Sequence, residues 1–172
     1  MRRCDDTLYF DFLQQNVMEP FYATRFKKLN ELSLNAVLKR KNPYLFKAKN
    51  IETAGDFVKN ILDAYLSSQE ETLFGDLLEG FAIFISHHLY GGLKSTYKSI
   101  DLEFERNDTH YIVGIKSGTA WGNSDQINKM KENFKKAKKD LRQKFAIPKD
   151  IIAVNGCIYG KDNKPLKSNN DK

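Results

Sequence analysis

Apolar and polar residues alternate over 99–105 (Ser-Ile-Asp-Leu-Glu-Phe-Glu) and again over 111–118 (Tyr-Ile-Val-Gly-Ile-Lys-Ser-Gly). A period of two is the mark of strands with one buried face. Between them, Arg106, Asn107, Asp108 and Thr109 are turn formers, so the two arms predict an antiparallel hairpin. Asp101, Glu103 and Glu105 then share one face of the first strand, and Gly114 and Lys116 share one face of the second.

Elsewhere the period lengthens to that of a helix. Phe10, Leu13 and Val17, then Phe21, Phe26 and Leu29, recur at helical intervals over 8–32, with Pro20 beginning a second helix. Residues 33–50 are looser and predict a loop, in which Lys39, Arg40 and Lys41 precede Tyr44 and Phe46. Thr53 caps a helix to about residue 67, with Phe57, Ile61, Leu62 and Tyr65 on its buried side. A second helix starts near Ser68, which has Glu71 at capping-box spacing, and ends where Gly91 and Gly92 stop it. His87 and His88 sit in its last turn, where a cationic ring suits the helix dipole.

After the hairpin comes a small-residue loop with the single tryptophan, Trp121, expected to pack as a lid over the next helix start. Asn123 or Ser124 caps a helix over 125–145, buried through Ile127, Met130, Phe134, Ala137 and Leu141. Its remaining surface is lysine-rich: an outer solvated face or a phosphate-tracking one. Residues 151–154 (Ile-Ile-Ala-Val) predict a fully buried strand. Strand, helix, strand in that order is a βαβ crossover, which pairs the two strands in parallel. The fold class is therefore α/β: a mixed sheet with an antiparallel hairpin and a crossover, preceded by an N-terminal helical region. The chain divides into a helical region over 1–52, a core over 53–160 and a polar, frayed tail over 161–172. His110, at the start of the second arm, is expected to be an exposed strand residue.

The chain has 172 residues, enough for one sizeable core. Its 28 Lys and Arg against 22 Asp and Glu give a net charge of +6, which favours a polyanionic partner. Cys4 and Cys157 have no metal-ligand or disulfide spacing, which points to a reducing cytosol. No apolar run reaches membrane-spanning length and no signal-peptide core follows Met1, so a soluble, cytoplasmic protein without a membrane partner is expected.

The hairpin is where chemistry concentrates. Two or three carboxylates within reach of one lysine suit a divalent cation, since hard carboxylate oxygens bind Mg²⁺ and an ammonium orients water or steadies developing negative charge.

Asp101, followed by Ile112-Val113 and then Lys116-Ser117-Gly118, resembles the core of the PD-(D/E)xK nuclease superfamily. The continuation Trp121-Gly122-Asn123-Ser124-Asp125-Gln126, with Val154-Asn155-Gly156-Cys157-Ile158-Tyr159-Gly160, resembles one group of bacterial type II restriction endonucleases, from about Gly55 to Gly160. That resemblance implies a restriction-endonuclease-like core and Mg²⁺-dependent hydrolysis of phosphodiester bonds in double-stranded DNA at a short specific site. It implies Asp101 as metal ligand and Lys116 as the group that orients or deprotonates the attacking water. One departure stands out: the acid usual two residues before the lysine is replaced by Gly114. Glu79, Glu103 and Glu132 are the candidates to replace it, Glu79 first, with Glu79 and Glu103 carried forward as metal ligands. Gln126 is a candidate to position water. Lys39, Arg40, Lys41, Asn123, Ser124 and Lys129 are candidate DNA contacts. The resemblance also implies a homodimer, a cognate DNA methyltransferase and further structure beyond residue 172. The rival expectation is a nuclease-fold protein that binds DNA without cutting it, inactive or truncated.

Overall fold

The computed structural model describes residues 6–39, 42–144 and 150–160. Its elements form two compact units that divide between Phe81 and Ala82, inside one long helix.

The N-terminal unit is helical. α1 (Asp6–Leu13) runs through a π-helical turn (Gln14–Met18) into α2 (Glu19–Asn30). The backbone stays right-handed helical at Leu13, Met18 and Glu19, so the expected interruption is a widened turn, and Pro20 sits in the first turn of α2 as anticipated. The stretch expected as a loop contains two short helices, α3 (Leu34–Leu38) and α4 (Pro43–Ala48). Asn42 caps α4 by accepting from the Tyr44 N–H at 3.0 Å, a local device that can start a helix in a polar segment. Phe46 and Ile61 are buried together, while Tyr44 is exposed. Tyr9 and Phe12 pack on Phe81, and Arg25 pairs with Glu70.

α5 (Ala54–Tyr90) is a single 37-residue helix where two were expected. No glycine or proline lies between Gly55 and Gly75 to end the first. The Ser68 carbonyl instead accepts from the Thr72 hydroxyl at 3.0 Å within the helix. Its end is as predicted. Gly91 adopts φ +67°, and the Gly91 and Gly92 N–H groups donate to the carbonyls of His87 and Ser86 at 2.9 and 3.2 Å.

The C-terminal unit carries a four-stranded sheet in the order β1-β2-β3-β4. β1 (Leu93–Lys94), expected as a flexible lead, pairs antiparallel with β2 (Leu102–Arg106). β2 pairs antiparallel with β3 (Thr109–Lys116) through a two-residue turn at Asn107 (φ +49°) and Asp108 (φ +59°), the type I′ geometry that matches strand twist. α6 (Ser124–Lys144) then crosses to β4 (Asp150–Cys157), which pairs parallel with β3 from Thr109↔Asp150 to Lys116↔Cys157. The mixed sheet, hairpin and crossover are those expected.

Ile100, Ile112 and Ile151 pack against Phe134, Ala137 and Leu141 of α6. Ile112 is wholly inaccessible to solvent, a burial that stabilises by about 1.5–3 kcal/mol. β4 is not buried on both faces: Ile151 is covered, whereas Ile152 is 43% exposed. Its run of apolar residues hid a one-sided strand. The predicted end of α6 at 145 and the tail over 161–172 lie outside the described residues.

Candidate active site

The register puts Asp101, Glu103 and Glu105 on the same face as His110, Ile112, Gly114 and Lys116. α6 covers part of that face through Phe134. What makes a site is the point at which β2 parts from β3. The Asp101 N–H donates to the Val113 carbonyl at 2.8 Å, the last such bond before the chain turns away. Ser99 there adopts φ +63°, and the Asp101 carbonyl accepts from the Ser95 N–H at 3.2 Å. Residues two apart on a strand aim their N–H and C=O at the same edge, so both polar atoms of Ile115 face the gap that β2 leaves. Buried backbone groups need partners. The Asp101 Oδ2 accepts the Ile115 N–H at 2.6 Å, and the Lys116 Nζ donates to the Ile115 carbonyl at 3.0 Å.

An acid and an ammonium from neighbouring strands thus converge on one peptide residue. Both side chains are half-buried. The Lys116 Nζ also lies 5.3 Å from the centre of the Trp121 ring, a cation–π contact that restricts where the ammonium can point.

The glycine at 114 has a steric reason. A Cβ built there would come within 3.3 Å of the Ser99 carbonyl oxygen and 3.4 Å of the Phe134 ring. A side chain at this position would therefore grow toward a backbone oxygen and a core aromatic.

The other expected site residues are dispersed. Glu103 shares the face of Asp101 but both its oxygens are engaged: Oε1 accepts from the Ser95 hydroxyl, and Oε2 from the His110 Nε2–H at 3.0 Å. Glu79 is half-buried on α5 in the N-terminal unit. Glu132 is exposed on α6, beside the Lys129 Nζ at 3.3 Å. Gln126 closes a reciprocal cap with Asn123: each side-chain oxygen accepts the other's backbone N–H at 3.0 Å. Ser124 is the first residue of α6, and Lys39 is exposed just beyond α3. Arg40 and Lys41 lie outside the described residues.

His110 corrects its expected exposure. Only 10% of its side chain is accessible, and it sits between Glu103 and Glu105, whose Oε1 lies 3.6 Å from Nδ1. The two-residue turn sets Glu105 opposite His110, so a hairpin register drawn from the sequence could have found this contact. Ser95 and the Ile115 peptide had no such trace.

Among the described residues, no three His, Cys, Asp or Glu side chains form a metal cage. Mg²⁺ does not require one: it commonly takes one or two carboxylates and fills its octahedron with water and substrate phosphate oxygens. The Asp101 carboxylate, a hard oxygen donor anchored on the same residue as the Lys116 ammonium, fits that pattern. No described helix is long and apolar enough to cross a membrane.

A family model described as Type II restriction endonuclease EcoO109I matches residues 10–171, nearly the whole chain. No curated protein matches it.

Proposed function

We propose that this chain, which belongs to the EcoO109I family of type II restriction endonucleases, is a Mg²⁺-dependent nuclease that cuts double-stranded DNA at a short specific site with Asp101 and Lys116. The observation that carries this reading is that one residue, Ile115, anchors both groups: its N–H donates to the Asp101 carboxylate and its carbonyl accepts from the Lys116 ammonium. Asp101 would hold the ion. When bound, Mg²⁺ supplies charge neutralisation on the phosphodiester and a bound water of lowered pKa. Lys116 has protons to donate: its Nζ turns from the Ile115 carbonyl toward the attacking water, orienting it, and then faces the charge that builds on the phosphoryl oxygens. The Trp121 ring limits that swing. Cutting a palindrome on both strands calls for a two-fold protein, so the active form is a homodimer, and a methyltransferase of the same specificity protects the host's own sites.

Plasmid cleavage in Mg²⁺ tests this. Asp101→Asn and Lys116→Ala are each expected to lower the rate by about 10²-fold or more while leaving DNA binding in place. Metal-dependent cutting that survives either substitution would refute the assignment. Glu79→Gln is the matching test for the second acid that the resemblance implies. The absence of an acid at Gly114 favours one rival, a protein that binds without cutting; salt-sensitive DNA binding with no cleavage in Mg²⁺ or Mn²⁺ would establish it.

A further inference from the structure

We infer that Glu103 is not a metal ligand but, with Ser95 and His110, a positioning device that holds Asp101 on the Ile115 peptide. The inference rests on the reading of Asp101 as the metal-binding acid. The chain of contacts runs without a gap from the sheet to that residue. Glu105 and Glu103 flank the His110 ring, at 3.6 Å from Nδ1 and 3.0 Å from Nε2, and the ring is nearly inaccessible. The other oxygen of Glu103 takes the Ser95 hydroxyl. The Ser95 N–H donates to the Asp101 carbonyl at 3.2 Å, and its hydroxyl oxygen accepts the Tyr97 N–H at 3.1 Å. Ser95 therefore clasps both ends of the loop from which Asp101 emerges. That loop lies outside β2, which begins only at Leu102. Each Glu103 oxygen accepts one hydrogen bond, from a hydroxyl and from a buried imidazole, and these two bonds fix the carboxylate's orientation toward Ser95. Such a chain fixes the orientation of a catalytic side chain in the way outer contacts fix metal ligands.

The metal-free protein gives a direct readout: hydrogen exchange of the Ile115 N–H, which the Asp101 carboxylate protects. Ser95→Ala, Glu103→Ala and His110→Ala are each expected to speed that exchange about tenfold or more, with exchange in α6 unmoved. On cognate DNA they lower kcat about tenfold and leave KM within about threefold. Glu103→Gln keeps an acceptor for Ser95 and an amide partner for a neutral imidazole, so it retains most of the protection and most of kcat. Should His110→Ala fail to fold, Ser95→Ala, the loss of one hydroxyl, carries the same expectation. Unchanged Ile115 protection in Ser95→Ala and Glu103→Ala overturns the proposal. So does a Glu103→Gln protein as deficient in cutting as Asp101→Asn, which would make Glu103 a ligand. Wild-type protein that cuts no DNA sinks the nuclease reading instead, and leaves the exchange result to decide the clasp.

Discussion

At Gly114, chain identity and site chemistry meet in a single missing side chain. The space a Cβ would occupy lies 3.4 Å from a ring carbon of Phe134 and 3.3 Å from a backbone oxygen. Neither neighbour gives easily: Phe134 is 7% exposed in the core, and Ser99 is held at positive φ. Restoring the acid usual in the superfamily, by Gly114→Glu, should therefore overpack the sheet–helix seam. We expect a loss of about 1–3 kcal/mol in urea unfolding, and no gain in cleavage. Gly114→Glu combined with Phe134→Ala should not recover the loss, because the helix then leaves a cavity of its own. A more active Gly114→Glu enzyme of unchanged stability would show that the pocket yields and that the acid is missing for another reason.

Elements with a local cause were legible in the sequence, and those with a tertiary cause were not. The β2–β3 hairpin, the Gly91–Gly92 stop and the crossover through α6 all follow from turn chemistry and periodicity. α5 did not, because a capping-box pattern inside a helix is indistinguishable by sequence from one at its start. The one-sided burial of β4 was equally hidden, since it depends on what covers each face. The start of α6 belongs to the legible kind, and its cap can be measured. Asn123 and Gln126 exchange two bonds of 3.0 Å, so Asn123→Ala should cost about 1 kcal/mol and Gln126→Ala a comparable or smaller amount. The double variant should lose less than the two added together, because both bonds belong to one device. Additive losses in a urea double-mutant cycle would mean that the two residues act separately.

For the whole molecule, the sequence showed the acid and the lysine but not what joins them. The parting of β2 from β3, which turns Ile115 into a shared anchor, depends on the loop over 95–101 and leaves no periodic trace. Charge was legible in amount but not in placement. α6 carries eight basic side chains against three acidic ones, most of the net +6 of the chain. Its apolar side is committed to the sheet through Phe134, Ala137 and Leu141, while Lys129, Lys131, Lys135, Lys136, Lys139 and Arg142 are exposed. The helix begins beside the loop that carries Trp121, and rises about 1.5 Å per residue. Lys129 is thus at the end nearest Lys116, and Arg142 lies about 20 Å further along. Under the function proposed above, a phosphate backbone cut at Asp101 and Lys116 would run past the first and not the second. Each neutralised phosphate contact contributes to the salt dependence of binding, so Lys129→Ala should reduce the slope of log affinity against log salt by about one. Arg142→Ala, at a side chain that is also exposed, should leave that slope unchanged. Equal reductions from both would mean that DNA follows the whole length of α6, and the site would then have to sit deeper along the duplex than the Asp101–Lys116 anchor implies.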